Sequence, residues 1–274
     1  MNVLRRRVLS NHFFLLIAAA LFCCSQIVHA EENAFARIKS SGKIIVGMSG
    51  EQPPFNFVTN ENNIIGYDVE LADLLASAIP AQVEIALMPF AELIKALEDN
   101  KIDVIISGFS FSKERSAKST LIGPYAITGK SLLVTKDNLQ RIRNSTGFND
   151  KNVRILAMKK STSLALAKER LPDAQIDTVD HYEDAILALH ANKADALMTD
   201  LTICNLAVLR DTTSKLTHLE KPLAIEEIVI AVNREEIQLQ SKLREKLITL
   251  TSNGELQKLQ ERWFKNPGWL EYLP

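Results

Sequence analysis

The chain has 274 residues, 32 Lys and Arg against 33 Asp and Glu, and a formal net charge of −1 at pH 7. That balance excludes the basic excess on which nucleic-acid binding depends. The length suits one large domain or two lobes of about 100 residues each.

The amino-terminal stretch carries Arg5, Arg6 and Arg7, an apolar run from Phe13 to Cys24, and the small residues Val28 and Ala30 at the positions of a cleavage site. This is the layout of a secretory signal peptide over residues 1–30, too short and too one-sided to span a membrane. It implies export to the periplasm. A lipid anchor on Cys23 or Cys24 is the competing reading, although Phe22 and Cys23 are poor residues for the position before the cut. The basic patch "RRRVLS" is not a twin-arginine signal. Cleavage after Ala30 removes the three arginines and leaves a net charge near −4. Only Cys204 then remains, so no intramolecular disulfide is possible, and no second long apolar stretch follows.

Short strands and helices then alternate. "KIIVGM" (43–48) reads as a strand. "YDVELADLLASAIP" is a helix with apolar Val69, Ala72, Leu75 and Ile79 in helical spacing, Asp68 available as a cap and Pro80 as a stop. "VEIALM" is a strand, "PFAELIKALEDNK" a helix opened by Pro89, and "IDVIIS" a third strand. The pattern restarts with "SLLVTK" and "NVRILAM", a helix over "SLALAKERLP", "AQIDTV", a helix over "YEDAILALHANK", and "ADALMT". "EEIVIAVN" is a late strand, followed by two helices separated by Gly254. Strands joined by helices imply parallel pairing with right-handed crossovers. Two such runs imply an α/β fold of two lobes, 31–127 with 224–274 and 128–223, joined by crossing segments near 126–130 and 219–224.

In open α/β sheets ligands sit beyond the carboxyl ends of strands. "SGFSFSKER" (107–115) follows such an end. Small residues there let a ligand approach the backbone, Ser107 and Ser110 supply hydroxyls, and Ser112 can cap a helix carrying Arg115, whose fork matches a carboxylate. Serines also end strands routinely, and a first-turn arginine is usually solvated. Elsewhere His181 and His190 fall on opposite helix faces and His218 is isolated, so no shared metal is expected. Cys204 reads as a small buried hydrophobe, and Trp263 and Phe264 read as packing residues.

The ordered set "QPPFNF", "GYDVELA", the strand-end serines with Arg115, and "ADALMTD" resembles the solute-binding proteins of bacterial ABC importers, family 3. The resemblance runs over essentially the whole chain after the signal. It implies a type II periplasmic-binding fold, two lobes closing on one small amino-acid-like ligand, a monomer that docks on an inner-membrane ABC permease, and no cofactor or metal. Carried over position by position, it implies Ser107, Gly108, Ser110, Arg115 and Thr162 around a ligand carboxylate, Asp200 on its ammonium, and Phe90 against its side chain. Ser49 and Gln52 belong to the same site by position but depart from the family, which often carries an acid and an aromatic there. Glu51 is nearby but two residues out of register, and Lys159 with Lys160 replaces an uncharged pair. The departures leave open an acidic amino acid, or a ligand that is not a standard amino acid, while the two lysines alone read as a solvated loop pair.

Two other functions fit the same outline. Periplasmic cyclohexadienyl dehydratases share "GMSGEQPPF"- and "KADALMTD"-like segments, but their catalytic glutamate is expected three residues after Asp200, where this chain has Ile203, which cannot donate a proton. A sensory role, in which the loaded protein engages a receptor, is the other.

Overall fold

The computed structural model describes residues 33–145 and 147–273, so the signal segment with Cys23 and Cys24 lies outside the described residues. After helix α1 (Ala34–Ser41) come strand β1 (Lys43–Met48), three short strands β2 (Glu51–Gln52), β3 (Asn56–Val58) and β4 (Ile64–Ile65), and helix α2 (Tyr67–Ala76). Strand β5 (Gln82–Leu87) leads through a 3-10 turn at Phe90–Glu92 into α3 (Leu93–Glu98), β6 (Val104–Ile105) and α4 (Lys113–Lys118). A 16-residue strand, β7 (Thr120–Thr135), then leaves this half of the molecule. The second half holds α5 (Lys136–Arg143), β8 (Arg154–Met158), α6 (Thr162–Arg170), β9 (Gln175–Val179), α7 (Tyr182–His190), β10 (Ala196–Asp200), α8 (Leu201–Arg210) and β11 (Leu216–His218). Strand β12 (Ala224–Val232) returns, and α9 (Ile237–Ser252) and α10 (Glu255–Gln260) pack on the first half.

These elements form an α/β fold of two lobes on one curled sheet ordered β5-β1-β6-β12-β7-β10-β8-β9, with β11 on β7. β5-β1-β6 and β10-β8-β9 are parallel triplets, as strand–helix alternation requires. The strands between them are antiparallel to their neighbours, so each lobe is a mostly parallel sheet joined to the other through an antiparallel centre. The reason is in the register. β7 pairs with β12 from Thr120 to Lys130 and with β10 from Lys130 to Val134, so one continuous strand serves both lobes. The "SLLVTK" strand is the far end of this longer element, whose first half, with Gly123 and Pro124, gave no clear strand signal in sequence.

The two triplets repeat a local device. Asn100 and Asn192, each after a helix, take left-handed φ values of 56° and 58°, and each precedes an aspartate three residues on. Asp103 accepts the Ile45 N–H at 2.7 Å and Asp195 accepts the Arg154 N–H at 2.8 Å. Each buried carboxylate also meets arginine, Arg37 in one case and Arg141 with Arg154 in the other. A buried acceptor thus satisfies the Ile45 amide near the start of β1 and the Arg154 amide that opens β8.

Helix α2 shows how burial overrides local signals. Tyr67, Leu71 and Leu75 are buried, each side chain worth about 1.5–3 kcal/mol on transfer from water. Asp68, read in sequence as a cap, makes no capping bond; Gly66 holds the N-cap position and Asp68 points into the interior. Gly254, expected as a helix stop, does separate α9 from α10 with φ 78°. Trp263 and Phe264 pack edge-on against Phe57 and Phe55, as their sequence reading proposed.

Gly66 gives a direct test of this packing. Its φ is 141°, and a Cβ there would lie 2.3 Å from the Phe55 carbonyl oxygen and 2.7 Å from Asn56 Cα. These are backbone atoms that cannot swing aside. Gly66→Ala should therefore cost about 2 kcal/mol or more in stability. An unchanged urea midpoint would contradict the tight approach of α2 to the β2–β3 segment.

Candidate functional site

The site grows from the carboxyl ends of β1 and β6. Asp68 is fully buried and accepts three bonds: from Asn56 Nδ2, Gly108 N and Tyr125 Oη, each at 2.8 Å. Burial pushes its carboxyl up to about 6, and the three donors pull the other way. The bond to Gly108 fixes the backbone at φ 52°, a turn conformation suited to glycine, directly after β6. Ser107 Oγ accepts the Ser49 N–H at 2.9 Å and so ties the end of β6 to the end of β1. The following residues lie along β12, with Val229 N–H donating to Phe109 O and Phe111 N–H donating to Glu227 O, both at 2.8 Å.

This loop delivers Arg115. Ser112 caps α4 by accepting the Arg115 N–H at 3.1 Å, as the sequence suggested. The guanidinium is 8% exposed and lies 3.8 Å from the Phe109 ring centroid and 5.4 Å from that of Phe90. It donates to Ser110 O at 2.7 Å and, across to the second lobe, to Lys160 O at 3.3 Å. Among the described residues no carboxylate reaches it within 4.0 Å. Burial pulls its pKa down to about 10, with Glu226 and Asp200 opposing, so it stays charged at neutral pH. A buried guanidinium that meets only carbonyls and rings is a ready receptor for a carboxylate.

Opposite it is a second group of charges. Asp200 ends β10 at the N-cap position of α8 but makes no capping bond. Its Oδ1 receives Lys130 Nζ at 2.9 Å, and the same ammonium lies 3.2 Å from Glu226 Oε2. Thr162 Oγ1 donates to Glu226 Oε2 at 2.9 Å. Lys130 sits on β7 and Glu226 on β12, so the centre of this group stands on the two strands that join the lobes. Burial pulls Lys130 down, yet Asp200 and Glu226 more than offset it and the ammonium is held charged. Burial raises Asp200, and Lys130 opposes that rise. Tyr182 is buried beside them with its hydroxyl pushed up to about 12, and Gln52 Oε1 and Thr199 Oγ1 are buried without a hydrogen-bond partner among the described residues.

The residues singled out in sequence therefore assemble in one region, in different postures. Phe90 and Arg115 make the aromatic and cationic wall, and Gln52 meets Gly108 closely. Gly108 N, Ser107 Oγ and Thr162 Oγ1 are engaged within the protein, by Asp68, Ser49 and Glu226 respectively. Ser110 contributes its carbonyl to Arg115, and half-buried Ser49 links β1 to β6. Sequence reasoning missed Lys130, Glu226, Asp68, Tyr182 and Phe109. A lysine inside "ITGKSLLV" and a glutamate inside "AIEEIVIAV" stand within apolar strands, and that misfit was the available signal. Lys159 is exposed and pairs with Asp180 at 2.7 Å, consistent with a solvated pair; Lys160, also exposed, enters the site only through its carbonyl. Ile203 is 4% exposed within an apolar cluster that includes Cys204 and Ala207.

The family model for bacterial extracellular solute-binding proteins, family 3, matches residues 44–266. The L-cystine-binding protein TcyJ of Escherichia coli (strain K12) is 25% identical over 236 residues, 86% of this chain and 87% of that protein. A cyclohexadienyl dehydratase of Pseudomonas aeruginosa is 23% identical over 259 residues, 93% of this chain and 95% of the enzyme. The crystal structure of the ancestral amino acid-binding protein AncCDT-1, a precursor of cyclohexadienyl dehydratase, superposes with a TM-score of 0.77 at 27% identity, covering 84% of this chain and 99% of that one.

At the edge of the site the lobes meet in an exposed pair, His181 Nδ1 and Glu51 Oε1 at 2.7 Å. The hydrogen bond and charge of Glu51 raise the His181 pKa above its ordinary value, with smaller help from Asp184 and Asp180. A raised histidine contributes stability that is complete below its ordinary pKa and is lost as pH rises through the raised one. The melting temperature of His181→Ala should therefore fall below wild type at pH 6, and the gap should close by pH 9. A gap independent of pH would show that the pair does not hold the lobes together.

Proposed function

Since the chain belongs to the bacterial extracellular solute-binding proteins of family 3, we propose that it captures a small amino-acid-like ligand between its lobes and delivers it to an ABC importer. The observation that carries this reading is Arg115: a buried guanidinium, stacked on Phe109, with no carboxylate partner among the described residues and facing the acidic group of Asp200 and Glu226 where the lobes join. The ligand carboxylate pairs with Arg115 in a two-pronged bond, its ammonium lies by Asp200 and Glu226, and its side chain packs by Phe90 and Tyr182. Ser49, Gln52, Ser107, Gly108, Ser110 and Thr162 shape the walls. Residues 31–127 with 224–274 act as one lobe and 128–223 as the other, hinged on β7 and β12. Ligand binding stabilises the closed arrangement by its differential affinity. The relatives' names support amino-acid capture and work with an ABC transporter; with the signal-like amino terminus, the reading places the protein in the periplasm as a monomer with a membrane permease as partner.

No catalysis is part of this reading. The family includes a cyclohexadienyl dehydratase, so the fold can host that chemistry. Here the position expected to donate a proton is Ile203, an aliphatic side chain turned into the apolar interior.

Arg115→Ala should keep the wild-type fold by circular dichroism and weaken ligand binding by about 2–5 kcal/mol, because the ligand carboxylate is then buried without its partner. Calorimetry showing unchanged affinity in Arg115→Ala would overturn the assignment. For the other end of the ligand, Asp200→Asn should weaken an amino acid about ten-fold or more while affecting its deaminated acid less. Incubation with prephenate or arogenate should give no product above background. Turnover proportional to the concentration of wild-type protein would replace the binding reading with the enzymatic one.

A further inference from the structure

We infer that Lys130 and Glu226 fix the net charge of the ligand, and that the site selects amino acids whose side chain is uncharged. The inference rests on the reading of the cleft as an amino-acid receptor and adds the class of amino acid.

Charges in this buried region must balance, because little water reaches them. Lys130 is 1% exposed, and the side chains of Asp200 and Glu226 are 11% and 13% exposed. One ammonium between two carboxylates leaves a single negative charge. Arg115, on the other wall, carries a single positive charge with no carboxylate within 4.0 Å among the described residues. The four groups cancel as a set but are separated into one cationic and one anionic end. A carboxylate and an ammonium on one ligand neutralise both ends at once.

A third ligand charge has no counterpart. Among the described residues the buried and half-buried groups around these ends are Gln52, Thr199, Ser49, Thr162, Phe90 and Phe109, all uncharged, and the Tyr182 hydroxyl, which burial keeps protonated; the nearby charged side chains of Lys160 and Glu114 are exposed to solvent. The Glu51–His181 pair is exposed and internally matched. Burying an unmatched guanidinium, ammonium or carboxylate costs several kcal/mol, about a hundred-fold or more in affinity. Uncharged polar side chains are better served, because Gln52 Oε1 is buried without a hydrogen-bond partner among the described residues.

Lys130 is what separates this site from one for basic ligands. Without its ammonium, Asp200 and Glu226 together would present two negative charges and accept a ligand with two positive ones. Without the Glu226 charge, Lys130 and Asp200 cancel, and Arg115 alone would favour a carboxylate that carries no ammonium. Glu226 is held for its part by the Thr162 hydroxyl at 2.9 Å.

Calorimetry on the signal-free chain tests this with serine, glutamine, leucine, phenylalanine and cystine against arginine, lysine, aspartate and glutamate. The tightest ligand of the wild-type protein should have an uncharged side chain and exceed every charged one at least a hundred-fold. A charged amino acid as the tightest ligand overturns the inference and leaves the receptor reading standing. Binding of none of them overturns the receptor reading itself. Lys130→Met should move the ratio of lysine to the best neutral ligand at least ten-fold toward lysine. Glu226→Gln should move the ratio of the best ligand to its deaminated 2-hydroxy analogue at least ten-fold toward the analogue. If Lys130→Met does not fold, Glu226→Gln decides: an unchanged ratio sinks the proposal.

Discussion

The cleft owes its chemistry to one topological constraint: two parallel triplets of strands share a single antiparallel pair, β7 and β12. A strand that serves both triplets must pass from one lobe to the other, and its central residues belong to both. Lys130 is such a residue, paired in register with Asp200 on β10 and with Ala224 on β12. Alternation along the two strands then sorts the crossing region by face. Lys130 and Glu226 turn toward the buried side, while Ile127 and Ile225 turn outward and are 68% and 70% exposed. A one-residue slip of this ladder would exchange the two sets and put isoleucines where the ion group stands.

The polar groups behind the site are as constrained as those facing it. Asp68 lies under the loop after β6, and its three accepted bonds tie α2, β3, Gly108 and Tyr125 into one unit. Tyr67 stacks on Tyr125 at 5.8 Å and donates to the Tyr125 carbonyl at 2.9 Å. Buried polar networks of this kind are stabilising only when every member is satisfied. Their effect here is to hold Ser107–Phe111 rigidly, so that Phe109 can present its ring to Arg115. Pre-positioning spares the ligand the cost of ordering the loop.

Much of this was legible in the sequence, for identifiable reasons. Strand–helix alternation around "KIIVGM", "NVRILAM" and "ADALMT" is periodic and local, and it gave the α/β lobes. The capping of α4 by Ser112 is a four-residue pattern and was equally readable. What escaped depends on contacts distant in sequence. Asp68 looks like a helix cap until Gly108 and Tyr125, 40 and 57 residues away, are brought to it. Lys130 and Asp200 are 70 residues apart, so the sequence showed an acid at the expected ammonium site but not the lysine already paired with it. The absence of an acid at Ser49 suggested a site short of negative charge; Glu226 adds a carboxylate from the returning strand, but Lys130 pairs with it, and the group keeps a single negative charge. Charges that come together across a hinge have no sequence spacing to reveal them.

The central claim is that a ligand carboxylate is recognised by the Arg115 guanidinium. It can be tested on the unaltered protein by titrating it calorimetrically with its best amino-acid ligand and with the carboxamide of the same compound. The two share size, side chain and ammonium, and differ in the charge that Arg115 would meet. The account predicts that the carboxamide binds about a hundred-fold more weakly or not at all, since a charge-assisted pair is replaced by a neutral group beside a buried cation. Equal affinity for the acid and its carboxamide would contradict it.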